Sequence, residues 1–100
     1  MSWIGFDGDG TLWKHGTGED IPGDPIPAMV EILRQEAKAY EVRILTARAG
    51  IPEQIPIIED WCIKHLGMKL KVTDRKDFGM LRLYDDRAIQ VVTNTGKLVL

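Results

Sequence analysis

The chain has 100 residues, 44% of them hydrophobic and 28% charged, with a formal net charge of −2. That length supports one hydrophobic core and predicts a single domain over residues 1–100, with no need of a disulfide or structural metal. A lone cysteine, Cys62, excludes an internal disulfide framework and an intact zinc ribbon, and points to a reducing, cytoplasmic compartment. No apolar run approaches the roughly 20 residues that span a bilayer, so no membrane partner is expected. The first residues lack a basic region followed by an apolar segment, which predicts no signal peptide. A pI of about 5.6 argues against stable duplex-DNA binding. Charge is uneven, however: residues 1–63 carry 5 basic against 11 acidic side chains, and residues 64–87 carry 7 against 4. The basic stretch reads as a solvated face or as a side that attracts an anionic ligand.

In chain order, Trp3-Ile4-Gly5-Phe6 predicts a buried strand running into an Asp-Gly-Asp-Gly turn. Residues 13–27 are rich in Gly, Pro, Asp and Thr and predict a loop. A helix is expected over residues 27–39, with Met29, Val30, Leu33 and Ala37 at helical spacing. Residues 42–45 predict a second strand. Pro52 or Pro56 opens a second helix with an apolar stripe at Ile55, Ile58, Cys62 and Leu66, and Gly67 caps it. Further strands are expected at 70–72, 81–84 and 88–93, the last reversing through Asn94-Thr95-Gly96 into 98–100. A turn or short helix fills 74–80. Alternating strands and helices predict an α/β fold, Rossmann-like, with a three-layer α/β/α arrangement around a mainly parallel sheet.

The residues that follow each strand carry the chemistry. Asp7 and Asp9 follow the first strand, Thr46 and Arg48 the second, and Asp85 and Asp86 the fourth. Lys71, Arg75 and Lys76 flank the third. In a parallel sheet these groups converge on one rim, where ligands bind. Carboxylates, a hydroxyl and a basic group there suit a phosphate held with a divalent cation. Gly8 and Gly10 let backbone N–H groups approach anionic oxygens.

Asp7-Gly8-Asp9-Gly10-Thr11-Leu12 after an apolar strand resembles the first signature of the haloacid dehalogenase (HAD) superfamily. Ile44-Leu45-Thr46 resembles the second signature, and Leu83-Tyr84-Asp85-Asp86 the fourth, with Lys76 taken as the third. The motifs stand in the family's order and cover most of the chain. The resemblance implies a HAD-like core and a Mg²⁺-dependent phosphomonoester hydrolase. Asp7 would then be the nucleophile that becomes an aspartyl-phosphate, and Asp9 the general acid and base. Mg²⁺ would be held by Asp7, the backbone carbonyl of Asp9, and Asp85 or Asp86. Gly8, Thr46 and Lys76 would bind the phosphoryl group, with Lys71 as the alternative lysine and Arg48 as a further phosphate clamp or an ion-pair partner.

The segments at both cap positions are short, which predicts a cap-less member with an open site. A phosphorylated small molecule or a nucleic-acid end is the expected substrate, with nucleotide or polynucleotide phosphate leading. Two alternatives are a receiver-like phosphoacceptor module and a catalytically silent binding protein on the same scaffold. In receivers the acid pair comes first and the acceptor Asp later, the reverse of the order here. Cys62, Trp3 and Trp61 read as core residues, Trp13 as core or as a wall of the entrance, and His15 as a solvated loop residue. His65 lies near a helix C-terminus. Arg87, directly after the acid pair, reads as an orienting ion-pair partner of an aspartate.

Overall fold

A computed structural model describes residues 1–15 and 22–100. The elements are β1 (Trp3–Phe6), α1 (Pro27–Ala37), β2 (Glu41–Leu45), a 3-10 turn (Ala47–Gly50) and α2 (Gln54–Leu66). They continue with β3 (Lys71–Thr73), β4 (Met80–Tyr84), β5 (Gln90–Val91) and β6 (Leu98–Val99). Each predicted element is present, with ends displaced by a residue or two. Part of the predicted loop over 13–27, residues 16–21, lies outside the described residues.

Four strands form one parallel sheet in the order β3-β2-β1-β4. β1 therefore sits inside the sheet, and all four of its residues are buried. An apolar run with no polar alternation is what a strand covered on both faces requires. β5 and β6 pair antiparallel as a separate ribbon. Asn94 and Gly96 take the left-handed conformation in their reversal, with φ 63° and 72°, and Asn tolerates that region better than most residues.

Ile4 and Phe6 share one sheet face with Val42 and Ile44, and this face packs on Leu33 of α1 and on Ile58, Cys62 and Leu66 of α2. Both helices lie on this same face. The reason is topological: β1, β2 and β3 step in one direction across the sheet, so two right-handed crossovers deliver both helices to one side. The second helical layer expected from the sequence has no helix among the described residues. Instead, residues 74–79 lead from β3 to β4 without helix, and Trp3 is buried against them. Its Nε1–H donates to Asp77 Oδ1 at 2.8 Å, and the Arg43 guanidinium lies 4.5 Å from its ring centroid. Leu33 is fully buried, so Leu33→Ala is expected to cost about 2–5 kcal/mol in denaturant unfolding. A loss below about 1 kcal/mol would contradict its place in the core.

The register of β4 is set by a bulge. Trp3 pairs with Met80, but Ile4 pairs with Arg82, so Leu81 is skipped. Tyr84 then lies opposite Phe6, and the two rings stack at 4.5 Å between centroids. The Tyr84 hydroxyl donates to Glu36 Oε2 at 2.9 Å, and Arg82 grips the same carboxylate at 2.6 and 2.9 Å. These contacts tie β4 to α1. No helix among the described residues is long and apolar enough to cross a membrane.

Candidate active site

Because the sheet is parallel, β1, β2 and β4 deliver their following residues to one rim. The Asp7 N–H donates to the Tyr84 carbonyl at 2.9 Å and extends the β1–β4 ladder by one step. Asp7 is thereby placed beside Asp85 and Asp86. The Gly8 carbonyl accepts from the N–H groups of Thr11 at 3.0 Å and Leu12 at 2.9 Å, which curls the loop tightly. Gly10 takes φ 84°, and a side chain there would overlap the Asp86 carboxylate. A methyl group at Gly8 would overlap the Trp13 ring. Both glycines are therefore demanded by close approach. The Gly8 N–H also bonds the Asp7 carboxylate and favours its ionised form.

Carboxylate oxygens of Asp7, Asp85 and Asp86 all lie within 4.8 Å of one another. Burial, followed by a hydrogen bond with Asp86 and the charge of Asp85, pushes the Asp7 carboxyl up to about 7. The same hydrogen bond holds Asp86 below its ordinary range. Without a cation, the pair thus keeps one proton on Asp7 at mildly acid pH. Thr11 Oγ sits 3.4 Å from Asp7 Oδ2 and 3.3 Å from Asp86 Oδ1, and its single proton bridges to one of them.

Asp9 has a different environment. Arg48 Nε donates to its Oδ2 at 2.6 Å and Nη2 to its Oδ1 at 3.1 Å, a bidentate pair with both side chains about four-fifths covered. Trp13 Nε1–H adds a third bond at 2.9 Å. Burial pushes Asp9 up, but the bonds from Arg48 and Trp13 and the guanidinium charge outweigh it and hold the carboxyl below its usual range. Arg48 is further anchored by Gln54 Oε1 at 3.2 Å. Thr46, almost fully buried, accepts the Arg48 backbone N–H through its hydroxyl at 3.2 Å, which leaves its own proton for a ligand.

Asp7, Asp9, Thr46, Arg48 and Asp85 line one cavity of about 230 Å³, together with His15 and Arg87. Asp86 lines an adjoining cavity of about 220 Å³ that shares Asp85. The expected lysine is not brought to this place. Lys76 borders a separate cavity with Asp77, Phe78 and Met80, because the chain beyond β3 leaves the rim toward Trp3. Lys71 opens β3 and pairs with Arg43, so it stands at the amino end of its strand, away from the carboxyl rim. Trp13 is fully buried, edge-on to Trp61 at 5.0 Å, and so is core rather than an entrance wall. Cys62 is a buried thiol pushed up to about 12 by burial, in keeping with a packing role.

Three residues of the site carry little signal in the sequence. Gln54, buried at the start of α2, has no motif that marks it as the anchor of Arg48. His15 and Arg87 line the cavity, and only their nearness to the two acidic motifs distinguishes them. Arg87 makes no side-chain ion pair within 4 Å among the described residues; its backbone N–H bonds Asp85 Oδ1 at 2.8 Å. No protein-family model, curated protein or solved structure matches the chain.

Proposed function

We propose that the chain is a divalent-cation-dependent phosphomonoester hydrolase with a cap-less HAD-like core, in which Asp7 is the nucleophile. The observation that carries this reading is the meeting of Asp7, Asp85 and Asp86 within 4.8 Å beside a cavity also lined by Thr46. Three hard oxygen donors on one rim, with Asp7 lifted by burial and by its two acidic neighbours, form a set that fits Mg²⁺, with the Asp9 carbonyl as the further ligand implied by the resemblance. When bound, the cation supplies positive charge that keeps Asp7 ionised and offsets charge on the phosphoryl oxygens.

The chain's own residues then divide the work. An Asp7 oxygen attacks phosphorus in line, and the bond from phosphorus to the leaving oxygen breaks with its electron pair on that oxygen. The Thr46 hydroxyl donates to a phosphoryl oxygen. In the second half, water attacks the aspartyl-phosphate, Asp9 takes the water proton, and Asp7 is released with inorganic phosphate. Asp9, held ionised by Arg48, starts in the form this second proton transfer needs, and the Arg48 contact must ease as it takes the proton. Protonating a leaving alkoxide would first require the Arg48 contact to loosen.

A leaving-group series tests this division. Aryl phosphates with acidic phenols are expected to turn over about 10²-fold or more faster than alkyl phosphates, with activity lost in EDTA and restored by Mg²⁺. Equal rates across the series would overturn the role given to Asp9, and full activity in EDTA would overturn the cation dependence. A second reading is the receiver-like phosphoacceptor, which likewise expects a lysine at a strand end and so draws no support from the place of Lys76. A stable phosphoprotein without turnover would favour it. Neither phosphorylation nor turnover would leave a silent binding protein. The lone cysteine supports a cytoplasmic enzyme, and nucleotide or polynucleotide phosphates are proposed as its leading substrate class.

A further inference from the structure

The cavity beside Asp7 is lined by two guanidinium groups whose situations differ. Arg48 is committed: it holds both oxygens of Asp9 and the Gln54 carbonyl. Arg87 is exposed, and its guanidinium makes no hydrogen bond or ion pair within 4 Å among the described residues, although its charge acts on Asp86 from further away. Its position is nonetheless fixed, since its backbone N–H is bound by Asp85, one of the three clustered carboxylates. His15 lines the same cavity, close enough for its charge to act on Asp9. The cavity, about 230 Å³, is smaller than the roughly 300–1,000 Å³ that encloses a whole ligand. It has room for a phosphoryl group and its immediate neighbour, while the rest of the molecule stays outside.

We infer that Arg87, assisted by His15, is the contact for a second anionic group on the ligand, so that the preferred substrate is a phosphate monoester carrying another anion nearby. This deepens the phosphatase reading and rests on it for the position of the first phosphoryl group. The physical basis is supply. A guanidinium already paired bidentately contributes little to a new anion, whereas an unpaired one at a fixed backbone position forms a charge-assisted fork at small cost. Arg48 is thereby a positioning residue for Asp9, and Arg87 is a specificity residue. A bisphosphate and a phosphorylated carboxylate share the required chemistry.

Calorimetric binding to the Asp7→Asn protein, which cannot form the aspartyl-phosphate, tests this with two matched pairs. One pair is a nucleoside 3′,5′-bisphosphate against the 5′-monophosphate; the other is phosphoglycolate against ethyl phosphate. The second anion is expected to tighten binding about tenfold, and Arg87→Gln in the same background is expected to erase that ratio. Arg87→Lys should retain part of it. Higher salt should weaken the doubly anionic ligands more steeply. Preference in the first pair alone assigns the second anion as phosphate; preference in both assigns anions generally. An unchanged ratio in Arg87→Gln, or no preference in the parent, overturns the inference. If wild-type turnover is absent but the ratio holds, the phosphatase reading fails and the anion contact stands. Turnover with a ratio indifferent to Arg87 leaves the phosphatase reading standing and removes the anion contact.

Discussion

Replacing Asp7 by Asn is expected to abolish turnover by at least about 10⁴-fold while making the cation-free protein more stable at pH 8. On the proposed mechanism the rate loss follows from removing the nucleophile, because the amide oxygen does not form the covalent intermediate. The stability gain follows from linkage. Asp7 titrates at about 7 in the folded chain, well above the 3.8 of a free carboxyl. Between those values the folded chain holds a proton that the unfolded chain has lost, so stability falls as pH rises from about 4 to 7. Above that range the folded protein carries the full cost of an ionised Asp7 beside Asp85 and Asp86. Asparagine removes that cost. With an allowance for the half-exposed site, the expected gain is about 1–2 kcal/mol. The effect should vanish near pH 4, and adding Mg²⁺ should stabilise the wild type more than the variant. Denaturant unfolding at pH 4.5 and 8, with and without Mg²⁺, measures all of this. A variant less stable than wild type at pH 8 would show that burial and the neighbouring carboxylates do not disfavour an ionised Asp7 as described.

The second large effect is expected at Gly8. A methyl group there would overlap the Trp13 ring. That ring has no room to retreat: it is fully buried, packed edge-on to Trp61, and bound to Asp9 through its indole N–H. Gly8→Ala is therefore expected to cost about 3 kcal/mol by overpacking, and to disturb Asp9 through the displaced indole. Unfolding followed by tryptophan fluorescence measures the first. The pH profile of aryl-phosphate turnover measures the second, since an Asp9 that loses the indole bond should titrate higher. A variant within about 0.5 kcal/mol of wild type would mean the loop moves freely, contrary to its close packing.

Local chemistry makes the skeleton of the site legible in the sequence. Trp3–Phe6 is an apolar run ended by Asp-Gly, and both its burial and its turn follow from residue type. Gly67 closes α2 where its residue type predicts, with φ 74°. Thr46 and the Asp85-Asp86 pair need only the assumption of parallel strands to be placed near Asp7. What is not legible depends on partners distant in sequence. Asp9 and Arg48 are 39 positions apart, and nothing in either motif shows that they bind each other. Lys76 has the sequence position of a rim residue because it follows a strand. The direction taken by residues 74–79 is set by the contacts of Asp77 with Trp3, which sequence spacing does not encode. The single-sided helical layer likewise follows from strand order, which pattern alone leaves open.

The skipped residue Leu81 bears on how this chain tolerates insertion and deletion. Without the bulge, Trp3 paired with Met80 would continue with Phe6 opposite Leu83, and the acid pair would slide one step past Asp7. Alternation would also turn the Tyr84 ring to the other face, away from Phe6 and Glu36. The strand therefore works like a vernier, in which one position separates an assembled triad from a dispersed one. Length changes in the β5–β6 ribbon or the turn after α2 leave that setting untouched. Deleting Leu81 itself would close the bulge and keep Tyr84 opposite Phe6, whereas a residue gained or lost between Arg82 and Asp85 displaces the acid pair even though no acidic residue is lost.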